Sequence, residues 1–385
     1  MKVAFVCLNA AELFVPVGRF VGGTERQQAR LGRELARRGH RIAFVVREAE
    51  GLASRDVALV PVRTTSRPRV LARVLNAARL WGALRRTVPD VVVQQGAGPI
   101  TLDVACFARA RGCPFVFMAA HDDDFRLRLL HTNAWRNRQY RWGAGMADAL
   151  VVQTERQRAL ARACFGREGD LIPNPMELPA AVPPPGEEVL WVGTLRPEKR
   201  PGALLDLARA LPGVRFTVVG AHPPEGAPGA DEARAFAARA AALPNVTLAG
   251  FQPPEAMDGF YDRAAVVVNT SVEEGFSNVL LEAWARGRPV VTADVDPDEV
   301  ICRLGLGVHA GSLAAMAPAL EGLLADPGRR RRLGEAGRRY VEAQHAVGPV
   351  ADRFEALFDR LIRARTGAEG LSGGVPDGRP AHGHA

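Results

Sequence analysis

Short apolar runs alternate with helical patterns along this chain, and this alternation limits the possible folds more than any other feature. Helical patterns at 25–38, 70–86 and 100–111 separate the runs of the first half. Strands separated by helices form a parallel sheet with both faces covered, so we predict an α/β domain over residues 1–175. The strand-like runs lie at 3–8, 41–46, 90–95, 114–120 and 149–154.

The same pattern restarts after a proline-rich segment. Residues 174–188, NPMELPAAVPPPGEE, have no apolar periodicity and are typical of an interdomain linker. A chain of 385 residues also exceeds what one hydrophobic core usually holds. We therefore predict two Rossmann-like, doubly wound domains, the second over residues 188–345. Its strand-like runs lie at 189–193, 215–220, 246–250, 265–270 and 289–293.

The remaining C-terminal residues divide into a helix and a tail. Residues 350–365 have an amphipathic helical pattern, whereas residues 366–385 are rich in glycine, proline and alanine. We predict that this tail is disordered.

The cysteines and the N-terminus indicate a cytoplasmic protein. No C-x-x-C pair occurs, which argues against a disulfide framework and a thiolate zinc site. The first apolar run is broken by Asn9 and Glu12, and no run reaches the roughly 18 apolar residues of a spanning helix, so we expect neither a signal peptide nor a membrane span. The cysteines are Cys7, Cys106, Cys113, Cys164 and Cys302.

Charge is distributed unevenly between the two halves. Residues 1–175 hold 28 Lys and Arg against 15 Asp and Glu, whereas the rest of the chain is acidic overall. The basic half suits an anionic partner, such as a membrane surface, a nucleic acid or a phosphorylated substrate, and equally suits arginines on solvated helices. Only Lys2 and Lys199 are lysines, so an otherwise Arg-based sequence keeps a compact ammonium group at Lys199.

Two facing doubly wound domains bring the carboxyl ends of both sheets to one cleft, where such folds bind ligands. Gly22 and Gly23 precede the first helix there and suit a phosphate, although they equally suit a simple turn with Thr24 as helix cap. No G-x-G-x-x-G motif follows the first strand and no P-loop motif occurs, so we do not expect NAD, FAD or a P-loop nucleotide site.

Two further segments reach the same cleft. His121 and the Asp122–Asp124 triplet follow a strand; the triplet resembles an acidic metal clamp but is more typical of a helix N-terminus. The loop after the first strand of the second domain carries Arg196 and Lys199, two cations suited to a diphosphate leaving group.

The segment around Glu274 is the strongest functional signal. Glu274 follows a strand, and Glu282 lies about two turns along the next helix. This spacing offers one carboxylate for sugar hydroxyls, a helix N-terminus for phosphate and a second carboxylate for a ribose diol. The backbone groups at that N-terminus belong to Gly275, Phe276, Ser277 and Asn278.

Together these motifs resemble the family 4 glycosyltransferases, which have the GT-B fold. The resemblance covers most of residues 1–365 and rests on the Glu274-x7-Glu282 pattern, the 195–199 loop and residues 147–175. It implies a hexosyltransferase that moves a sugar, with retention, from a UDP-, GDP- or ADP-sugar to an acceptor hydroxyl. It also implies no tightly bound cofactor or metal, and a helix at 350–365 that crosses back to the N-terminal domain.

The resemblance also implies roles for individual residues. Glu274 and His121 would act at the donor sugar as catalytic residues, and Glu282 would bind the nucleotide ribose. The chain departs from the family at Thr194, where many members have arginine, and at 292–300, which lacks the usual glycines. The diphosphate would contact Arg196, Lys199, Gly22, Gly23 and residues 275–278, and the base would lie near Gly250 and Phe251.

Aromatic residues interleave with arginine at 67–86 and 125–143 in the predicted acceptor domain. Such stretches suit an interfacial helix on anionic lipid, so we expect a glycan, glycolipid or lipid-linked acceptor and a peripheral position at the inner membrane face. Alternatively, these aromatics belong to the core and the arginines are solvated. The aromatic residues in question are Trp81, Trp135, Tyr140 and Trp142.

Other functions remain compatible with the sequence. A nucleotide-sugar epimerase or a sugar phosphorylase could use the same paired domains and phosphate-binding cations. A basic nucleic-acid-binding protein is a non-enzymatic alternative, but no nucleic-acid module occurs, so we expect no specific nucleic acid partner. An inactive nucleotide-sugar binder is disfavoured because Glu274, Glu282, Lys199 and His121 are all present.

Overall fold

The computed structural model describes residues 1–14, 22–47, 53–65, 69–126, 134–220 and 229–367. The predicted disordered tail lies outside the described residues from position 368 onward. Part of the second basic aromatic stretch, residues 127–133, lies outside them as well.

The first domain is a parallel sheet covered by helices. Its strands are β1 (Lys2–Val6), β2 (Arg41–Arg47), β3 (Ala58–Val62), β4 (Val91–Gln95), β5 (Phe115–Met118), β6 (Ala149–Val152) and β7 (Asp170–Leu171). Its helices are α1 (Gly23–Arg37), α2 (Arg69–Thr87), α3 (Thr101–Arg111), α4 (Ala134–Gly145) and α5 (Glu155–Phe165). Within the described residues the sheet has seven strands in the order β3-β2-β1-β4-β5-β6-β7.

The second domain repeats this architecture. Its strands are β8 (Glu188–Val192), β9 (Phe216–Val219), β10 (Val246–Gly250), β11 (Ala264–Asn269), β12 (Val290–Thr292) and β13 (Gly307–His309). Its helices are α6 (Pro201–Ala210), α7 (Ala230–Ala241), α8 (Pro254–Arg263), α9 (Asn278–Ala285), α10 (Val300–Leu304), α11 (Leu313–Ala325) and α12 (Pro327–Gln344). Of the described strands, six form this sheet in the order β10-β9-β8-β11-β12-β13, and helix α13 (Val347–Thr366) follows.

The central strands of each sheet are buried on both faces because they are almost entirely apolar. In β1, for example, Phe5 stacks on Phe44 at a ring-centroid distance of 4.9 Å on one face, while Ala4 packs into the cluster on the other. Strand β11 is buried along its whole length. The prediction of two doubly wound α/β domains is therefore confirmed.

Helix α13 crosses back to the first domain, as the resemblance implies. Val350, Phe354 and Phe358 are buried in the same cluster as Leu31 and Leu35 of α1. The chain also crosses between the domains at the linker, where the Met176 N–H donates to the His345 carbonyl at 2.7 Å. Two chain segments therefore connect the domains.

Candidate active site

A cavity of about 450 Å³, called the main cavity here, lies between the carboxyl ends of the two sheets. Residues from both domains line it, and most of the predicted site residues are among them. Gly22, Gly250 and Glu282 are not part of its lining. The predicted residues that line it are Gly23, His121, Arg196, Lys199, Phe251, Glu274, Gly275, Phe276, Ser277 and Asn278.

An ion pair between Lys199 and Glu274 lies in the wall of the main cavity. Lys199 ends a 3-10 turn, Pro197–Lys199, in the loop after β8, and Glu274 lies in the loop after β11. The Ser271 hydroxyl donates a second hydrogen bond to Glu274 at 2.7 Å. Both side chains keep some exposure, 26% for Lys199 and 12% for Glu274, so a ligand in the cavity can reach both.

Backbone contacts hold these two loops together. The Thr270 hydroxyl donates to the Lys199 carbonyl at 2.7 Å, and the Val272 N–H donates to the Glu198 carbonyl at 3.0 Å. Arg200, which the sequence analysis missed, donates to the Thr270 carbonyl at 2.7 Å and pairs with Asp294. The only signal in the sequence was its position directly after Lys199. Arg200 holds the loops after β8 and β11 together.

Arg196 is the more exposed cation of this loop. Its side chain is 57% exposed, and its ion-pair partner among the described residues is Glu198, whose carboxylate oxygen lies 4.0 Å away. The positive charge of this guanidinium is therefore only weakly compensated by protein carboxylates. It lines the main cavity although it stands two residues after Thr194.

His121 begins the 3-10 turn Asp122–Asp124 at the end of β5. Its Nδ1 accepts the Asp123 N–H at 3.2 Å, so the neutral ring carries its proton on Nε2. The side chain is 34% exposed and lines the main cavity. His121 thus presents an N–H donor to a ligand in the cleft.

The aspartates after His121 support the loop. Asp124 accepts the N–H groups of Ala97 and Ala120 at 3.0 and 2.6 Å, and Asp122 pairs with Arg156 at 2.7 Å. Burial raises the pKa of both carboxyls, against the opposing effect of these partners. Within the described ranges, no group of three or more His, Cys, Asp or Glu side chains is arranged to hold a metal ion.

The N-terminus of α9 is a contact between the domains. A Cβ on Gly275 would lie 2.7 Å from the Ala120 carbonyl oxygen, so only glycine permits this approach. The Phe276 N–H donates to the Gln153 side chain of the first domain at 3.2 Å, and the side-chain Oδ1 of Asn278 accepts from the Gln27 side chain of α1 at 2.9 Å. The side chain of Phe276 itself is buried in the core of the second domain.

Glu282 is buried and lies outside the main cavity. It lines a second cavity of about 390 Å³, called the adjoining cavity here, and accepts from Arg26 at 3.3 Å and Arg30 at 3.1 Å. The Tyr261 hydroxyl donates to its other oxygen at 2.8 Å. Burial favours the neutral acid, but the two guanidinium groups and Tyr261 outweigh this effect and lower the pKa of Glu282.

Sequence analysis missed both arginines. Arg26 and Arg30 stand four residues apart on α1, and this spacing places them on one helix face. That spacing was the only available signal, because their partner lies in the other domain. As a result, Glu282 joins the two domains in this structure.

The two predicted glycine positions at the cleft edge differ in conformation. Gly22 is the N-cap of α1, so Thr24 lies inside the helix and the alternative that Thr24 caps it is wrong. Gly250 has a φ of 67°, which favours glycine, and its carbonyl accepts the Gly220 N–H at 2.9 Å. The neighbouring Phe251 is 37% exposed at the cavity wall.

The aromatic residues of the basic stretches separate into two groups. Tyr140 is fully buried and donates to the Asp124 carbonyl at 2.8 Å, and Trp81 packs on Phe107. Trp135 and Trp142 of α4 are instead 55% and 47% exposed. In the part of the chain that the structure describes, no helix has both the length and the apolar character needed to cross a membrane.

Two protein-family models match the chain, one for each domain. The model described as Glycosyltransferase Family 4 matches residues 21–179, and the model described as Glycosyl transferases group 1 matches residues 186–326. The two matches follow each other in chain order and together cover most of the chain.

The curated relatives include proteins named D-inositol 3-phosphate glycosyltransferase from several organisms. The protein from Nocardia farcinica is 34% identical over 224 residues, which is 55% of this chain and 48% of the relative. The protein from Segniliparus rotundus is 35% identical over 187 residues, which is 46% of this chain and 41% of the relative. The chain thus spans less than half the length of each of these relatives.

Solved structures share the fold at lower identity. Sucrose-phosphate synthase from Thermosynechococcus elongatus is 19% identical with a TM-score of 0.77, covering 94% of this chain and 99% of that one. Anabaena HepE in complex with UDP and glucose is 16% identical with a TM-score of 0.73, covering 94% and 100%. Since both family models match in order and the two domains face each other as in these structures, the chain belongs to the family 4 glycosyltransferases of the GT-B fold.

Proposed function

We propose that this chain is a retaining hexosyltransferase that moves a sugar from a nucleoside diphosphate sugar to an acceptor hydroxyl. The observation that carries the proposal is the Lys199–Glu274 ion pair in a cavity lined by both domains. One site there offers a cation for a phosphate and a carboxylate for sugar hydroxyls. The relatives named D-inositol 3-phosphate glycosyltransferase support a transfer reaction of this class.

The reaction breaks the bond between the sugar C1 and the oxygen of the diphosphate. The departing diphosphate takes the electron pair, and Lys199, Arg196 and the N-terminus of α1 stabilise its charge as it develops. The acceptor oxygen forms its bond to C1 on the face that the diphosphate leaves, so the configuration is retained. The acceptor proton passes to the departing phosphate oxygen.

Glu274 and His121 orient the sugar in this proposal. When the donor binds, Lys199 turns to the diphosphate, and Glu274 accepts hydrogen bonds from sugar hydroxyls in its place. The Nε2–H of His121 donates to a sugar oxygen near the bond that breaks. Closure of the domains excludes water and so limits hydrolysis of the donor.

The nucleoside extends from the diphosphate toward the second domain. Gly250 and Phe251 lie beside the base, and Glu282 accepts the ribose hydroxyls. Anabaena HepE is described in complex with UDP, which makes a uridine nucleotide the first donor to test, before GDP- and ADP-sugars. We propose no tightly bound cofactor or metal.

For the acceptor we propose a glycolipid or lipid-linked glycan reached at the inner membrane face. Helices α2 and α4 both pack on α3, and they expose Leu71, Val74, Trp135 and Trp142. Arg138 lies over the Trp142 ring at 4.9 Å, so cationic and apolar groups share this surface. Such a surface suits an anionic bilayer.

Vesicle sedimentation tests this surface. The wild-type chain should bind vesicles that contain phosphatidylglycerol and not vesicles of phosphatidylcholine alone. The Trp135→Ala/Trp142→Ala double variant should lose this binding, whereas Val182→Ala, which alters an exposed apolar residue elsewhere, should keep it. Failure of the wild-type chain to bind either kind of vesicle would remove the membrane from the proposal, and equal binding by all three proteins would exclude the tryptophans of α4 as the contact.

A thermal-shift panel tests the donor site. A nucleoside diphosphate at a hundredfold its dissociation constant adds about 2.7 kcal/mol of stability, which raises the melting temperature visibly. UDP, GDP and ADP are compared with NAD, in the wild-type chain and in Glu282→Ala. Stabilisation by one diphosphate that Glu282→Ala removes supports the donor site, and stabilisation by NAD alone contradicts it.

Product analysis separates transfer from the alternatives. A transferase releases the nucleoside diphosphate in proportion to acceptor modified. An epimerase would interconvert nucleotide sugars without an acceptor, and a phosphorylase would require inorganic phosphate. Epimerase or phosphorylase activity would contradict the proposed transfer reaction but would not affect the fold assignment.

A further inference from the structure

The starting observation is the charge balance around Glu282, where two domains meet. One carboxylate of α9 accepts from two guanidinium groups of α1, those of Arg26 and Arg30, and from the Tyr261 hydroxyl. Glu282 is only 7% exposed. The cluster therefore carries one positive charge more than its carboxylate compensates, at the edge of the cleft.

The two arginines differ in position. Arg26 lines both the main cavity and the adjoining cavity, whereas Arg30 lines the adjoining cavity only. Arg26 also makes the longer contact with Glu282, 3.3 Å against 3.1 Å for Arg30. Each arginine keeps one buried nitrogen without a hydrogen-bond partner, Nε of Arg26 and Nη1 of Arg30. What distinguishes Arg26 is its direct access to the main cavity.

The main cavity needs cations for a diphosphate. Lys199 is already paired with Glu274, and the exposed Arg196 lies on the opposite, C-terminal-domain side. A nucleoside diphosphate carries two to three negative charges, and charge-assisted bonds from a guanidinium are the strongest that a side chain offers it. On the α1 side of the cavity, Arg26 follows three residues after Gly23, at the positive end of the helix.

We propose that Arg26 is a further donor-binding residue that exchanges partners: it pairs with Glu282 before the donor binds and with the donor diphosphate when the donor is bound. This inference rests on the proposed function. The ribose hydroxyls take the place of Arg26 on Glu282, and Arg26 turns into the main cavity. Arg30 stays at the adjoining cavity and competes with the ribose for Glu282 throughout.

The exchange predicts opposite effects for two neighbouring arginines. Arg26→Met removes a diphosphate contact but also a competitor of the ribose, so affinity for the nucleoside diphosphate should fall at least tenfold while affinity for the free nucleoside is kept or improved. Arg30→Met removes only a competitor, so both affinities should rise about threefold. Methionine keeps the apolar stem of each side chain without its charge.

Isothermal titration with UDP, GDP and ADP, and with uridine, guanosine and adenosine, measures these affinities. Arg37→Met is the matched control, because Arg37 lies on the same helix, is 73% exposed and, among the residues that the structure describes, forms its ion pair with Glu34 alone. Arg26→Lys keeps the charge and should retain more diphosphate affinity than Arg26→Met. Melting curves verify that each variant is folded.

The outcomes distinguish the inference from the proposed function. If the wild-type chain binds none of the three diphosphates, the proposed function is wrong and this inference with it. If the wild-type chain binds one of them but Arg26→Met and Arg30→Met shift diphosphate and nucleoside affinity alike, both arginines only join the domains and the inference is wrong. A selective loss of diphosphate affinity in Arg26→Met supports it.

Discussion

The ammonium group of Lys199 and the carboxylate of Glu274 form an ion pair between the loops that follow β8 and β11. The Ser271 hydroxyl orients the carboxylate, and the Thr270 hydroxyl holds the backbone of Lys199. Protein contacts therefore compensate and position both charges. A ligand that carries both a phosphate and hydroxyl groups can pair with both residues at once, the phosphate with Lys199 and the hydroxyl groups with Glu274. Variants of the two residues should therefore affect different steps: Lys199 variants the binding of the diphosphate, and Glu274 variants the transfer of the sugar.

Glu274→Gln should lower sugar transfer about 10²- to 10³-fold and leave the melting temperature nearly unchanged. The amide keeps the shape of the side chain but loses the charge that binds sugar hydroxyls in the transition state. Steady-state kinetics with the donor found in the thermal-shift panel measures the effect. Glu273→Gln is the control, since Glu273 pairs with Arg126 and Arg156 outside the main cavity. Equal turnover in Glu274→Gln and wild type would move the sugar site elsewhere.

Lys199→Ala should weaken nucleoside diphosphate binding by about 1.5–3 kcal/mol, the usual size of a charge-assisted phosphate contact. Isothermal titration provides the dissociation constants. Lys2→Ala is a natural control because Lys2 is the only other lysine. If Lys199→Ala leaves the dissociation constant unchanged, the ammonium group only holds the loop structure and does not bind the diphosphate.

Gly275→Ala should reduce transfer strongly while each domain stays folded. The added Cβ would meet the Ala120 carbonyl at 2.7 Å and force the domains apart at the cleft. Small-angle scattering should show a larger radius of gyration, and kinetics should show the loss. Gly82→Ala is the matched control: a Cβ there meets nothing within 4 Å, and helix α2 should gain about 0.5–1 kcal/mol. Identical scattering profiles for Gly275→Ala and wild type would contradict this account.

His345 should make the protein less stable as the pH falls from 6.5 to 4. Burial lowers the pKa of this histidine to about 4, against the opposing hydrogen bond to the Asn174 carbonyl. Between pH 6.5 and pH 4 the unfolded state binds more protons than the folded state. The free energy of unfolding therefore decreases by about 3 kcal/mol in total as the pH falls through this range. Denaturant unfolding at several pH values measures the loss.

His345→Gln is the matched variant for this pH dependence. Glutamine keeps a donor and an acceptor beside Asn174 and Tyr340 but does not titrate. The difference in slope between wild type and variant over this pH range isolates the histidine. Equal slopes in the two proteins would show that other groups cause the acid sensitivity.

Most of the fold could be predicted from the sequence because its strands are short, wholly apolar runs between helices. Strand β3 was missed: its sequence contains Pro61 and it lies at the sheet edge, where burial is partial. Helix α4 was predicted only as part of the interfacial stretch 125–143, without bounds of its own, because arginines dominate its pattern and few apolar residues, such as Tyr140 and Ala144, mark its buried side. Periodicity carries little information at such positions.

The candidate site could be predicted only where topology determines position. His121 follows a strand of the first sheet, and Lys199 and Glu274 follow strands of the second, so their convergence at the cleft between the two sheets is implied by the sequence. The partners of Glu282 could not be inferred, since they depend on how two separately folded domains face each other. Arg26 and Glu282 are 256 residues apart in the chain.

The position of α13 has a consequence for the order in which the protein is made. The core of the first domain includes Val350, Phe354 and Phe358, and Arg38 of the first domain binds Asp352 and Glu355 at 2.5 and 2.6 Å. These residues leave the ribosome only after the entire second domain. The first domain to be synthesised is therefore the last to be completed, and the nascent chain carries an unfinished apolar face until translation has passed α13.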